Sequence, residues 1–431
     1  MFQEVLHRIF SPSRFKQDVL WNVGSVAFLG VSGLFINGVI LACQGAEALG
    51  IFNQVFAFHI VISQIAVGGL QFSTLKHCSY EQDNLQECSS ITSSALMLVG
   101  TSGILVCLAL FGVRYIIGRL LESPAVSLGL SFAIPGLFFF SLNKVLIMVL
   151  NGLRNMRAFA VFNALRYLLI LVAVLGIILL GYPGSHLSLS LTIAEFILFC
   201  VMMVHINTRL FRMKFSLSSD MRRWMRRHIS FGSRGFLSGV LKNMNTRVDV
   251  IMLGYFMSDK LVGIYSFAST FAEGFGQLDT VIRRNVDPII GRCFAEGNRE
   301  KIQEIAQKIR RTFYPIMTLL GSTLVVGFPI LIWLIASNDE NWQSWGVFAI
   351  LVTGIALASG YRPFIAILLQ GGRPGTFTIL IACTVFVNVI LNGCLIPLMG
   401  LYGAAVATAL VCILEACSIM ILARKLFGIR L

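Results

Sequence analysis

Long apolar runs separated by short polar turns fill this chain, and none of them alternates apolar and polar positions with a period of two. A stretch of about 20 apolar residues crosses a bilayer as a helix, whereas membrane β-strands alternate. The pattern therefore predicts an all-α polytopic membrane protein. Using the polar turns as punctuation, spans fall near 19–42, 49–74, 91–112, 125–150, 160–181 and 187–206. A second set falls near 230–255, 261–282, 313–336, 345–370, 375–396 and 401–423, twelve in all.

The two sets echo each other. ALGIFNQVFAFHIVISQ, starting at Ala48, parallels LVGIYSFASTFAEGFGQ, starting at Leu261, which sets Gly50-Ile51-Phe52 on Gly263-Ile264-Tyr265. VLNGLRNMRAF, from Val149, parallels LLQGGRPGTF, from Leu368, which sets Asn151-Gly152 on Gln370-Gly371 and Arg154 on Arg373. Each set has an even number of spans, so both start on the same side. The repeats are expected to be related by a pseudo-two-fold along the membrane normal, the parallel-repeat plan of many transporters. The expected division is a six-helix lobe at 1–206, a basic linker at 207–229 and a second six-helix lobe at 230–431.

Charge orients the spans. Of the 34 Lys and Arg, about 26 fall in the N- and C-terminal segments and in the loops on the same side. Eight of them lie between Arg209 and Arg234, and eight between Arg283 and Arg311. The opposite loops hold only Arg114, Arg119 and Lys260. The positive-inside rule then places both termini in the cytoplasm. The formal net charge of +14 reflects topology plus attraction to anionic lipids, and needs no nucleic acid. The linker reads either as a basic, partly amphipathic segment on the inner leaflet or as a plain cytoplasmic loop. The polar, mildly basic opening MFQEVLHRIFSPSRFKQD lacks the features of a cleaved signal peptide.

Composition excludes several functions. The chain is 56% hydrophobic and only 13% charged, against about 25% charged in soluble domains. Its ten cysteines are scattered, with no C-x-x-C and no Cys/His ligand spacing, so neither a disulfide framework nor a metal site is implied. No cofactor motif and no Gly-rich phosphate loop ending in Lys-Ser or Lys-Thr is present. The outer loops are too short for a polymerase or glycosyltransferase domain. The chain reads as a carrier rather than an enzyme, with a monomer as the default state.

The stretch RVDVIMLGYFMSDKLVGIYSFASTF, 247–271, resembles the start of the second lobe in Wzx-type oligosaccharide flippases of the multidrug/oligosaccharidyl-lipid/polysaccharide exporter superfamily. The shared pattern is Asp, three hydrophobics, Leu-Gly-Tyr/Phe, a short turn, then Val-Gly-x-Tyr-Ser-x-Ala. The NGLRNMRAF and QGGRPGTF pair and the six-plus-six plan extend the likeness along the chain. The resemblance implies two bundles facing a central cavity and alternating between inward- and outward-facing states. It implies an undecaprenyl-pyrophosphate-linked oligosaccharide as cargo, for O-antigen, capsule or exopolysaccharide. It also implies the bacterial cytoplasmic membrane as location and polysaccharide polymerase or assembly proteins as potential partners. The related multidrug and toxin extrusion antiporters are the alternative. Many of these carry an acid in their first span, where 19–43 has none.

Ionisable groups at membrane depth are costly, by at least about 2.5–3.5 kcal/mol each, so they mark function or an internal partner. Lys144 and Arg362 stand seven and eight residues before the matched Asn151 and Gln370, hence at similar height in both lobes. Either they bind a phosphate or they snorkel to the interface. Pro363, directly after Arg362, is expected to kink its helix. Lys242 and Asp249 are seven apart and hence on nearly one face, with Asn245 between them and Arg247 turned away. The first lobe has no charge at the matching positions, which favours a role for these residues in holding cargo. An internal Arg247–acid or Lys242–Glu273 pair is the alternative. Asp249 and Glu273 are the candidates for ion coupling, while Asp279 is placed to pair with Arg283 four residues on. Glu195, Glu415, His59 and His205 are isolated in the sequence, and interhelical hydrogen bonding or interface placement is the favoured reading for them.

Overall fold

The computed structural model describes residues 12–215, 219–335 and 339–431, and among them every regular element is a helix. With no water in the bilayer core to satisfy peptide groups, an apolar run must satisfy them internally, and a helix does so. The opening eleven residues of the expected N-terminal segment and the last residue of the ninth expected span lie outside the described residues.

The helices follow the apolar runs. Helix α1, Pro12–Val67, holds the first two expected spans and is broken once, at Gly45 (φ 84°, ψ 176°). That backbone is in a region that only glycine enters without strain. After a Gly68-Gly69 turn come α2 (Leu70–Tyr80), α3 (Leu85–Leu120), α4 (Pro124–Gly152), α5 (Met156–Leu179) and α6 (Leu189–Arg209). The linker leads into α7 (Ser219–Asn245), which runs on into the seventh expected span; α8 (Val248–Phe256) completes that span. Helices α9 (Asp259–Ala295), α10 (Arg299–Ile335), α11 (Gln343–Ala358), α12 (Ile367–Gln370), α13 (Pro374–Met399) and α14 (Leu401–Phe427) follow.

By length and hydropathy alone, eight of the described helices can cross a membrane, or nine when the bent pair Gln343–Ala358 and Arg362–Gln370 is taken as one span. The difference from twelve has physical causes. The first two expected spans follow one another without a loop, separated only by the break at Gly45, and are counted together; the seventh and eighth lie in helices rich in Arg and polar residues. The expected kink at Pro363 is present: the chain bends by 59° there through a short 3-10 turn, Arg362–Phe364.

The repeat is visible in the breaks. The sequence offset that sets Gly50 on Gly263 sets Gly45 on Ser258, and Ser258, with extended backbone (ψ 154°), separates α8 from α9.

Two compact units are present. One holds the described part of Met1–Ile36 with His59–Ile117 and Ser127–Val240; the other holds Asn37–Phe58, Gly118–Val126 and Leu241–Leu431. In the first, Cys88, Ile91, Val145, Leu146, Leu198 and Met202 belong to the apolar centre. The start of α7 docks on it through Trp224, which is 2% exposed. Its indole Nε1 donates to Glu87 Oε2 at 2.7 Å and the adjacent Arg223 donates to Glu87 Oε1 at 2.6 Å. His228 contacts Ser73 Oγ at 2.8 Å and the Ile91 carbonyl at 3.1 Å. The linker is thus not a loose loop: one face of α7 is bonded to the protein, while Arg222 and Arg226 are exposed. The second unit centres on Ile290, Ile302, Phe364, Ile367 and Ile419.

Candidate functional site

Each unit contains a buried charge cluster on matched elements. In the first, Lys144 of α4 donates from Nζ to Ser63 Oγ at 2.9 Å and to Gln64 Oε1 at 3.3 Å, both on α1. Among the described residues no carboxylate lies within ion-pair distance of Lys144. The Phe140 ring, one helical turn away, is 4.7 Å from Lys144 Nζ and 4.9 Å from the Arg166 guanidinium, so one aromatic faces two cations. Arg166 Nε pairs with Glu195 Oε1 at 2.7 Å. Asn143 Nδ2 holds the other oxygen of that carboxylate at 2.8 Å. His59, 2% exposed, packs its ring 5.0 Å from Phe140. Two cations against one carboxylate leave an excess positive charge in a buried place, where Coulomb interactions are strong. A lysine there is a point charge with three donors, suited to an anionic oxygen.

In the second unit Arg362 occupies the matched position. It stands beside Gly276 of α9, the repeat mate of Ser63, with Nη1 4.0 Å from the position of a Cβ there. The equivalence of Lys144 and Arg362 read from the sequence is therefore also one of surroundings. Their charge balance differs. Arg362 Nη1 meets Asp279 Oδ2 at 3.3 Å and Arg362 Nε meets Glu415 Oε2 at 3.6 Å, so two acids face one guanidinium. The expected Asp279–Arg283 pair is replaced by this one. Asp279 is 5% exposed, and it takes the guanidinium of the half-buried Arg362, which packs against it from another element.

Glu195 pairs with Arg166 and Glu415 with Arg362, each across to another element, so the interhelical role expected for both acids is an ionic one. They are repeat mates, 220 positions apart on the last helix of each set, and each neutralises an arginine. Aligning the final helices at that offset would have shown it.

The stretch 242–249 departs from a continuous helix. Arg247 leaves helical geometry (φ −135°, ψ −4°) and separates α7 from α8, so the seven-residue spacing does not bring Lys242 and Asp249 onto one face. Lys242 lies among Arg283, Arg284 and Glu415. Arg247 grips Glu273 through Nη1–Oε1 at 3.0 Å and Nη2–Oε2 at 3.3 Å, a two-point pair joining α9 to the α7–α8 break. Asn245 Oδ1 accepts from Asn388 Nδ2 at 3.1 Å. Asp249 is buried, accepts from the Tyr265 hydroxyl and from the Val250 N–H, and has Thr408 close by through Tyr265. Asn388 in turn bonds Asn392, whose Oδ1 is buried without a hydrogen bond, as is the Thr408 hydroxyl.

The long apolar helices and the charge clusters repeated on matched elements are those of a multi-pass membrane protein, and the comparisons give its class as a transporter. The polysaccharide biosynthesis protein family model matches residues 27–274, more than half of the chain, and the chain belongs to that family. The Probable flippase AglR of Haloferax volcanii is 28% identical over 188 residues, which span 42% of this chain and 38% of that relative. The fold is that of solved transporters of the MOP superfamily. An inward-facing multidrug resistance MATE family transporter superposes with a TM-score of 0.77 at 15% identity, over 93% of this chain and 94% of that one. The lipid II flippase MurJ gives 0.75 at 14% identity, over 94% and 87%. A single-residue mutant of the Vibrio cholerae MATE transporter VcmN gives 0.68 at 14% identity, over 96% and 97%.

Proposed function

We propose that this protein is a flippase carrying an undecaprenyl-pyrophosphate-linked oligosaccharide from the inner to the outer leaflet of a bacterial cytoplasmic membrane by alternating access. Membership of a polysaccharide biosynthesis family supports the pathway. The observation that carries the substrate class is Lys144, half-buried beside an already neutralised Arg166 and facing no carboxylate at pairing distance among the described residues. Such a cation suits a pyrophosphate, whose oxygens supply the charge the site lacks. Arg362 contributes less to anion binding, because Asp279 and Glu415 already meet its charge. Arg247 is tied to Glu273 in the same way, which favours Asp249 over Glu273 as the ion-coupling group.

The charge distribution supports cytoplasmic termini, with the exposed arginines of α7 directed to anionic headgroups. The division into 1–206, 207–229 and 230–431, with twelve spans, remains the organisation we favour, as does a monomer that hands cargo to a polymerase. The test is complementation. In a strain lacking the gene, Lys144→Ala at normal membrane level abolishes surface polysaccharide, and Lys144→Arg restores part of it. Wild-type polysaccharide with Lys144→Ala removes the anion-site reading. Acid-dependent efflux of amphipathic dyes, with polysaccharide unaffected by gene loss, would instead favour the antiporter alternative.

A further inference from the structure

The cysteines are scattered in the sequence, yet the fold of the first unit brings two of them together. Cys78 lies near the end of α2 and Cys88 in the first turn of α3. Both are fully buried and both are free thiols. They hydrogen-bond each other, and the Thr92 side chain bonds Cys78. Cys88 Sγ also donates to the Glu81 carbonyl at 3.1 Å, across the turn that joins the two helices. A disulfide needs sulfurs about 2.05 Å apart, with Cβ atoms at about 3.5–4.5 Å, so thiols already in contact close by a small movement.

The surroundings separate this pair from two cysteines that merely fill a core. The turn covering them, Gln82 to Gln86, is exposed. Among its fastenings are the Cys88 thiol itself and Gln82 Nε2, which donates to the Gly152 carbonyl at 3.0 Å. Local opening of an exposed turn is inexpensive compared with global unfolding, and here it uncovers the sulfurs. The turn lies on the side of the basic loops. The charge distribution supports a cytoplasmic setting for it, where thiols are kept reduced and a disulfide is transient or sensory.

The pair also adjoins a structural joint. Glu87, directly before Cys88, accepts from Trp224 and Arg223 and so anchors the start of α7. Pulling Cys88 towards Cys78 turns the first turn of α3 and moves Glu87 away from those two donors. All of these residues belong to one compact unit.

We propose that Cys78 and Cys88 are an oxidisable dithiol for hydroperoxides, and that its disulfide loosens α7 from Glu87. A hydroperoxide ROOH oxidises one thiol to a sulfenic acid and leaves as the alcohol ROH. The second sulfur then attacks the sulfenic sulfur, the S–S bond forms and water departs. Two electrons pass from the thiols to the peroxide, and a dithiol reductant reverses the change.

The experiment uses the full-length protein in detergent, both native and with the other eight cysteines replaced by serine. Hydrogen peroxide is the probe and peptide mass spectrometry the readout. A Cys78–Cys88 linkage, lighter by two hydrogen atoms, is expected in most molecules and should disappear with dithiothreitol. Cys78→Ser should stop the reaction at a sulfenic acid on Cys88 that dimedone traps, while serine keeps a hydroxyl in place of the thiol. Protease cleavage within 211–228 should rise several-fold on oxidation of the native protein and stay unchanged in Cys78→Ser. No linkage in the folded protein, or linkage only after denaturation, overturns the dithiol. Linkage without any change in cleavage overturns its coupling to α7.

Discussion

Glu195 offers a quantitative test of the first-unit cluster. Its carboxylate is 2% exposed, meets Arg166 Nε at 2.7 Å and accepts from Asn143 Nδ2 at 2.8 Å. Two unit charges about 4 Å apart attract by about 4 kcal/mol at an effective dielectric constant near 20. Removing one partner leaves the other buried and uncompensated, a cost of about 3–5 kcal/mol. Glu195→Ala also sets Arg166 and Lys144, which share the Phe140 ring, against each other with no acid between them. The expectation is a loss of about 3–5 kcal/mol. Arg166→Met with Glu195→Leu together should return to within about 1–2 kcal/mol of the parent, because an apolar pair of similar volume replaces the buried ions. The assay is a double-mutant cycle of reversible unfolding in mixed micelles, each variant measured at fixed lipid ratio. A Glu195→Ala protein as stable as the parent, or a double variant as unstable as the sum of the singles, would refute the assignment.

Further consequences follow from the same geometry. Arg362→Ala leaves Asp279 and Glu415 facing each other without their cation, so membrane abundance should fall several-fold in an immunoblot. Adding Asp279→Asn and Glu415→Gln should restore much of it; no restoration would show that Arg362 is needed for something other than neutralising these acids. His228 is pushed from 6.5 down to about 4, chiefly by burial. A group whose folded pKa is depressed contributes stability above the ordinary value and loses it as pH falls, here between about 6.5 and 4. The docking of α7 should weaken by about 3 kcal/mol over that window, read as rising protease cleavage within 211–228, and His228→Gln should flatten the dependence. Trp224→Ala removes both a buried ring and the indole bond to Glu87; the expected cost is about 3–5 kcal/mol, visible as cleavage at neutral pH.

The sequence carried the helical plan because bilayer physics leaves a long apolar run almost no other choice. It also carried the repeat, and through the repeat the equivalence of Lys144 and Arg362. What it hid were partners. Arg166 and Glu195 are 29 positions apart on different helices, and Arg362 takes acids from α9 and α14, so no local spacing announces either pair. Asp279 illustrates the failure: Arg283 is its neighbour on the helix surface, but Arg362, from another element, is the cation that meets it. The break at Arg247 was equally hidden, since NTRVD contains neither glycine nor proline. Without it Lys242 and Asp249 look like one face; with it they serve different surroundings. Glu195 and Glu415 were legible in principle, as mates on matched final helices.

We propose that the half-buried Lys144 recognises an anionic lipid headgroup. Purified protein in proteoliposomes, supplied with a fluorescent polyprenyl-pyrophosphate oligosaccharide, tests it through protection of the label from an external quencher. The wild type should translocate this lipid and should not translocate the same glycan on a neutral lipid. Lys144→Ala should reduce translocation at least tenfold without changing protein incorporation. Equal translocation of charged and neutral lipids, or a fully active Lys144→Ala, would contradict the account.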